Sequence, residues 1–145
     1  DKGLESYNNG DLSGAIFNWS LTIQIDPNEP NAYYSRAIVK NELYTWKSAL
    51  KDYDEAINIA PNFVSALINR GGLKDENGDY QGAIADYETI LKLEELEQEE
   101  KQQAFFNLGN TYFNLKDKKK ACENWKIALE NGAEYANERI DEHCK

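Results

Sequence analysis

The alternation of hydrophobic and polar positions along the chain predicts pairs of short helices. Apolar residues recur at the three- and four-residue spacing of an amphipathic helix. One such run consists of Ala15, Ile16, Trp19 and Ile23. The sequence Asn-Gly-Asp, at 9–11 and again at 77–79, separates neighbouring runs and supplies a residue suited to positive φ, followed by a helix cap. Two helices joined by such a turn form a helical hairpin, and the chain is therefore predicted to be all-α.

The hairpins repeat along the chain. An alanine recurs at spacings of 34, 34 and 38 residues (49 − 15, 83 − 49 and 121 − 83); an aromatic residue follows it by four positions and a Gly or Ala precedes it by twelve. The three columns are Ala15, Ala49, Ala83 and Ala121; Trp19, Tyr53, Tyr87 and Trp125; and Gly3, Ala37, Gly71 and Gly109. We expect the small residues to face the alanines, so that paired helices approach closely and the aromatic ring fills the gap.

These columns resemble the tetratricopeptide repeat, a 34-residue helix-turn-helix unit. The last unit carries the family's pattern in Phe105, Leu108, Gly109, Tyr112, Ala121, Trp125 and Ala128. The two middle units depart from the pattern, because Arg36 and Lys40 in one, and Arg70 and Lys74 in the other, stand where a leucine and an aromatic residue are expected.

The resemblance implies an all-α, right-handed α-solenoid in a single domain over residues 1–145. Its four repeats would span about 1–29, 30–63, 64–101 and 102–132, and a helix over about 133–145 would cap the fourth. The first repeat is truncated on its N-terminal side and the chain has no methionine, so we expect a segment of a longer protein.

The four residues added to the third spacing fall in the glutamate-rich stretch 93–101. We interpret this stretch as a solvated helical extension of the third repeat and its connection, since runs of charge are usually wet surface. An acidic binding segment is the alternative. Either the third repeat's second helix or the fourth repeat's first helix is expected to be longer than its equivalents.

The resemblance also implies a function, because the first helices of stacked repeats in this family line a concave groove that holds a peptide or a partner helix. The groove candidates are Tyr34, Ser35, Ile38, Asn41, Asn69, Gln103, Phe106, Asn107, Asn110 and Phe113. Aromatic rings there would accept peptide side chains, and the amides of Asn69 and Asn107, in the column of Ser35, would pair with peptide main chain. The alternative is that these amides are ordinary polar surface.

We therefore expect a non-catalytic scaffold or adaptor. Two alternatives come from other classes: a self-assembly element that stacks through its open first repeat, and the recognition arm of a larger enzyme. No catalytic group, metal or cofactor is expected, because the single histidine, His143, lies in the capping helix and the carboxylates cluster at turns and polar faces.

The net charge of the chain limits the kinds of partner that it is expected to bind. Sixteen Lys and Arg against 26 Asp and Glu give a net charge of −10, which repels nucleic acid and anionic lipid. No apolar stretch approaches the roughly 20 residues of a membrane helix. We expect a protein or peptide partner, no nucleic acid and no membrane insertion, with self-association left open.

Cys122 and Cys144 fall on the facing apolar stripes of the last repeat and the capping helix. We favour two buried free thiols that act as small apolar residues, in a soluble cytoplasmic protein. A disulfide stapling the cap to the last repeat is the alternative, and it would indicate a periplasmic or secreted protein. A metal site that adds His143 is the third interpretation, although the spacing matches no zinc motif.

Overall fold

The computed structural model describes residues 1–145, which form α-helices joined by turns. The helices are α1 (Lys2–Asn8), α2 (Leu12–Ile25), α3 (Pro30–Glu42), α4 (Trp46–Ile59), α5 (Val64–Glu76), α6 (Tyr80–Leu91), α7 (Gln98–Asn114), α8 (Lys118–Glu130) and α9 (Ala136–His143). The first eight form four consecutive hairpins. None of the nine combines the length and the apolar character needed to cross a bilayer. The chain divides into two compact units, Asp1–Ala66 and Leu67–Lys145, with the boundary inside α5.

Each hairpin turn uses one residue of positive φ at the same column. Gly10 and Gly78 adopt φ of 78° and 83°, and Tyr44 and Lys116 adopt 58° and 66° in the other two hairpins. In three of the four turns the next residue is an aspartate whose carboxylate accepts a hydrogen bond from a backbone N–H three residues later. These caps are Asp11, Asp79 and Asp117.

The small column brings each pair of helices together. In the first unit a Cβ on Gly3 would overlap the indole of Trp19, and in the second unit a Cβ on Gly109 would overlap the indole of Trp125. The small residues therefore lie directly under the aromatic rings, which fill the gap between the paired helices as expected. Ala15 and Trp19 are buried in one cluster with Ala32 and Val39 of α3, so the core of the first hairpin continues into the next helix.

Two buried carboxylates explain the departures from the family's pattern in the middle repeats. Asp52, 4% exposed, accepts hydrogen bonds from Arg36 Nε and Nη2 at 2.8 and 2.7 Å, and Lys40 Nζ lies 2.7 Å away. The second unit repeats this arrangement with Asp86, Arg70 and Lys74. The expectation that the carboxylates cluster at turns and polar faces is wrong for these two, because the cations at the unusual columns pair with them inside the hairpin.

The extra residues lengthen the fourth hairpin, not the third. α6 ends at Leu91 and residues 92–97 are not helical, so the expected helical extension of the third repeat is wrong. α7 has 17 residues, whereas α3 and α5 have 13 each. Glu97 caps α7, and its backbone N–H donates to Glu100 Oε2 at 3.0 Å, so part of the acidic stretch stabilises the start of this helix.

The last helix begins three residues later than the sequence predicted. Gly132, with φ of 96°, ends α8, and the turn over residues 131–135 leads into α9 at Ala136. Ala136 is fully buried, and Ile140 and Cys144 pack with it against the core of the fourth hairpin. The predicted stripe of the capping helix is therefore the face that contacts α8.

Candidate functional site

Four of the predicted groove residues lie on α3 in the first unit. These are Tyr34, Ser35, Ile38 and Asn41, and all four are half-buried. The ring of Tyr34 packs 4.9 Å from that of Phe63 and 6.1 Å from that of Tyr53, measured between centroids. Tyr34 is therefore held in an aromatic cluster of its own unit and keeps only part of its ring accessible.

Three of the six predicted residues of the second unit come together in a cleft. Gln103, Phe106 and Asn107 lie on one face of α7 and line a cavity of about 480 Å³. Its remaining walls are Glu99, Gln102 and Tyr135. The cleft thus combines two aromatic rings, three side-chain amides and one carboxylate, the mixture of apolar surface and convergent polar groups that is typical of a ligand site.

The turn over residues 131–135 forms the cleft because it is tied to α7. The backbone carbonyl of Asn131 accepts hydrogen bonds from Gln98 Nε2 and Gln102 Nε2, both at 2.7 Å. Gly132 has no side chain at the point where a Cβ would lie 3.1 Å from Gln102 Nε2. The ring of Tyr135 then meets that of Phe106 edge to face, with centroids 4.8 Å apart.

The cleft is negatively charged. Glu99 is the only ionisable side chain of its lining apart from the phenol of Tyr135, and it makes no ion pair. Burial raises the pKa of Tyr135 above its ordinary value of 10.0, and the neighbouring Glu99 carboxylate raises it further. Tyr135 therefore stays neutral near pH 7, and the charge of the cleft comes from Glu99.

The other predicted residues of the second unit have structural partners outside this cleft. Asn110 Oδ1 accepts a hydrogen bond from Trp125 Nε1 at 3.1 Å, which satisfies the indole in the core. The ring of Phe113 lies 5.7 Å from that of Trp125 and 4.5 Å from that of His143, so α9 covers it. Asn69 is half-buried on α5.

The two cysteines form a disulfide in the structure. Cys122 on α8 and Cys144 after α9 have their sulfurs bonded and their Cα atoms 5.6 Å apart. The interpretation that we favoured, two free thiols, is therefore wrong, and so is a metal site that uses these sulfurs. His, Cys, Asp and Glu side chains form no group of three or more that could hold a metal ion.

Reasoning from the sequence missed Glu99, Gln102 and Tyr135. The signal for them was the 38-residue spacing, which places an additional turn of helix before the columns of the fourth repeat, together with the Asn131-Gly132 turn. We read that turn only as the end of a helix. Its contact with α7 depends on the direction in which the chain leaves Gly132, which the hydrophobic pattern does not encode.

Comparisons with known proteins agree with this architecture. The sequence model of the tetratricopeptide repeat family matches residues 64–95 and 102–130. MamA from Desulfovibrio magneticus is 19% identical with a TM-score of 0.79, over 97% of this chain and 82% of that one. PilF from Pseudomonas aeruginosa is 24% identical with a TM-score of 0.80, over 90% and 58%. A tetratricopeptide repeat protein from Parabacteroides merdae is 23% identical with a TM-score of 0.81, over 92% and 52%. No curated protein sequence matches the chain significantly.

The likeness to solved structures confirms the predicted fold class, an all-α solenoid-type fold built from helical hairpin repeats. The family match falls on the third and fourth hairpins, where the Gly, Ala and aromatic columns pack as described above. The third and fourth hairpins therefore match the tetratricopeptide repeat family in sequence, and the chain as a whole has the fold of solved tetratricopeptide repeat structures.

Proposed function

We propose that the protein is a non-catalytic scaffold or adaptor that binds a peptide or partner protein with the first helices of its hairpins. Tetratricopeptide repeats generally mediate protein–protein interactions. The observation that carries the proposal is the cleft on α7, where Gln103, Phe106 and Asn107 converge.

The chemistry of the cleft suits an extended peptide. The rings of Phe106 and Tyr135 offer apolar surface for a side chain, and Tyr135 is 49% exposed. The amides of Gln103 and Asn107 can each donate to and accept from a peptide main chain, whose N–H and C=O groups need partners when they leave water. A folded partner would use the same groups through an exposed loop.

The test uses peptides selected from a random displayed library on the full chain. Synthetic copies are then measured by fluorescence anisotropy. We expect Phe106→Ala to weaken binding about tenfold or more, as truncation of a central aromatic contact does. Tyr44→Ala is the matched control, because Tyr44 is 92% exposed in the turn between α3 and α4, in the other unit. Equal affinities of the two variants, or a failure to select any peptide, would refute the proposal.

The amide column makes a second contribution to the proposed binding. Asn69 and Asn107 hold the same position on α5 and α7 of the second unit, one repeat apart. We propose that both pair with the peptide main chain. An Asn69→Ala/Asn107→Ala variant should bind every selected peptide more weakly, whatever its sequence. Unchanged affinities would show that these two amides do not contribute to peptide binding.

Self-association is a second candidate function, and α2 favours it. α2 is the only helix without a charged side chain, in a chain whose residues are 29% charged. Phe17, Leu21 and Ile25 are 68%, 45% and 77% exposed, and their spacing of four places them in one stripe. Two copies that each carry a charge of −10 repel one another least through an uncharged face, so the occupant we propose for this stripe is a second copy.

Sedimentation equilibrium at several concentrations tests this second candidate. We expect the wild-type protein to form a dimer and the Phe17→Glu variant to remain a monomer. Ala85→Glu is the matched control, because Ala85 is exposed at the same column of the third hairpin. A wild-type protein that stays monomeric at all concentrations would exclude self-association and leave the peptide-binding proposal intact.

A further inference from the structure

We propose that the cleft between α7 and the turn over residues 131–135 is a subsite for a lysine or arginine side chain of the bound peptide. This inference rests on the proposed function and adds to it the chemistry of one ligand position. The lining that carries it is the carboxylate of Glu99 beside the rings of Phe106 and Tyr135.

The charge of the cleft selects a cation. Glu99 has no ion-pair partner, and no Lys, Arg or His lines the cleft. Glu99 is exposed at the rim of the cleft, so it can stay hydrated beside a neutral apolar side chain and adds nothing to the binding of one. A guanidinium or ammonium group would instead pair with it, and the net charge of −10 attracts cationic peptides in general.

The two rings favour the same ligand. Phe106 and Tyr135 meet edge to face at 4.8 Å, and a cation placed over an aromatic face is attracted by the ring's quadrupole. The aliphatic stem of a Lys or Arg side chain would meanwhile cover apolar ring surface. The amides of Gln103 and Asn107 lie along the same cleft and can hold the peptide main chain on either side.

The cleft is a specific product of the added residues in the fourth repeat. α7 is four residues longer than α3 and α5, and its extra first turn, residues 98–101, contributes Gln98 and Glu99. Gln98 helps to hold the turn that carries Tyr135, through its 2.7 Å hydrogen bond to the Asn131 carbonyl. One insertion thus supplies both the charge and part of the clamp, and neither α3 nor α5 has this turn.

The experiment compares peptides selected on the full chain before and after single changes. We expect the selected peptides to share a Lys or Arg at one position, and its replacement by glutamine to weaken binding. Glu99→Gln should weaken the binding of the same peptides about twofold to fivefold, with a smaller loss in high salt. Glu95→Gln is the control, since it removes one carboxylate from the exposed connection before α7 and should leave affinity unchanged.

Tyr135 supplies a second readout. Tyr135→Phe keeps the ring and should bind nearly as well as the wild type, whereas Tyr135→Ala should lose affinity for basic peptides. Selected peptides without a shared basic residue, or equal losses from Glu99→Gln and Glu95→Gln, would overturn the subsite while the proposed function stands. A chain that binds no peptide at all would overturn both.

Discussion

Asp52→Asn tests whether the buried carboxylates hold the middle hairpins together. The substitution keeps the size of the side chain, removes its charge and replaces one acceptor oxygen by an NH₂ donor. In the structure both carboxylate oxygens accept from cations, with Arg36 bidentate at 2.7 and 2.8 Å and Lys40 at 2.7 Å. The variant therefore leaves two cations facing a neutral amide inside the first unit.

The expected cost follows from how well the two cations can reach water. Removing one partner of a fully buried ion pair costs about 3–5 kcal/mol. The side chains of Arg36 and Lys40 are 17% and 18% exposed, against 5% for Asp52, so partial hydration offsets part of this cost. We expect Asp52→Asn to lower the free energy of unfolding by about 2–4 kcal/mol.

Urea denaturation followed by circular dichroism measures this cost. Glu55→Gln is the matched control, because it removes one carboxylate from the exposed face of the same helix and should change stability by less than about 0.5 kcal/mol. If Asp52→Asn were no more destabilising than Glu55→Gln, the ion pairs would contribute nothing and the reasoning would be refuted.

The fourth hairpin has uncharged residues at the three columns that carry the ion pairs in the middle hairpins. Asn124 holds the column of Asp52 in the fourth hairpin, where the facing columns carry a leucine and a tyrosine in place of the two cations. Copying that set as R36L/K40Y/D52N removes the unpaired charges along with the carboxylate. It also loses the 2.9 Å hydrogen bond from Arg36 to Ser20, and we therefore expect recovery of about half of the stability, not all of it.

Three further predictions concern the second unit. Gly71→Ala should lower the free energy of unfolding in urea by about 1–3 kcal/mol, because the new Cβ would lie 2.8 Å from the Tyr87 ring. Gly72→Ala should raise it by up to about 1 kcal/mol, because the atom nearest to the new Cβ is 3.8 Å away. The reverse order of stabilities would contradict the packing. Replacing Cys122 and Cys144 by serine opens a link between residues 22 apart and should cost about 3 kcal/mol, and two free thiols in protein unfolded without reductant would contradict the disulfide. Burial raises the pKa of Tyr87 above 10.0, so the contribution of its neutral form to stability is complete below pH 10. Above pH 10 this contribution falls by about 1.4 kcal/mol for each pH unit. Tyr87→Phe should make the free energy of unfolding fall less steeply with pH in this range, and an unchanged slope would refute the assignment.

The sequence predicted most reliably the features that are local to one hairpin. Gly109 and Trp125 are 16 positions apart and meet because a short turn reverses the chain, so a recurring small residue and a recurring aromatic residue reveal the contact. Positive φ was expected only where glycine occupies the turn. Tyr44 and Lys116 adopt it as well, since the geometry of the hairpin fixes the turn even where the residue does not favour it.

Buried charge was the main failure within the hairpins. Arg36 and Asp52 are also 16 positions apart, and Arg70 and Asp86 repeat the spacing, so the pairs were visible in the sequence. They were not recognised because charged residues on an amphipathic helix are usually solvated, and one sequence without the hairpin geometry gives no reason to place them inside. The repetition of the same charge pattern at the period of the fold was the available signal.

The cleft illustrates why departures from a repeat carry more functional information than the repeat itself. The columns of a repeat are fixed by the need of each helix to pack against its neighbours, and they are therefore shared by proteins with different partners. An added turn of helix has no equivalent neighbour in the other hairpins, so its residues must find a different contact. In this chain the contact is the Asn131 carbonyl at the entrance to the capping helix, which places Glu99, Phe106 and Tyr135 together. The four extra residues therefore distinguish this surface from those of the two middle hairpins, and they are where specificity for a partner is expected to reside.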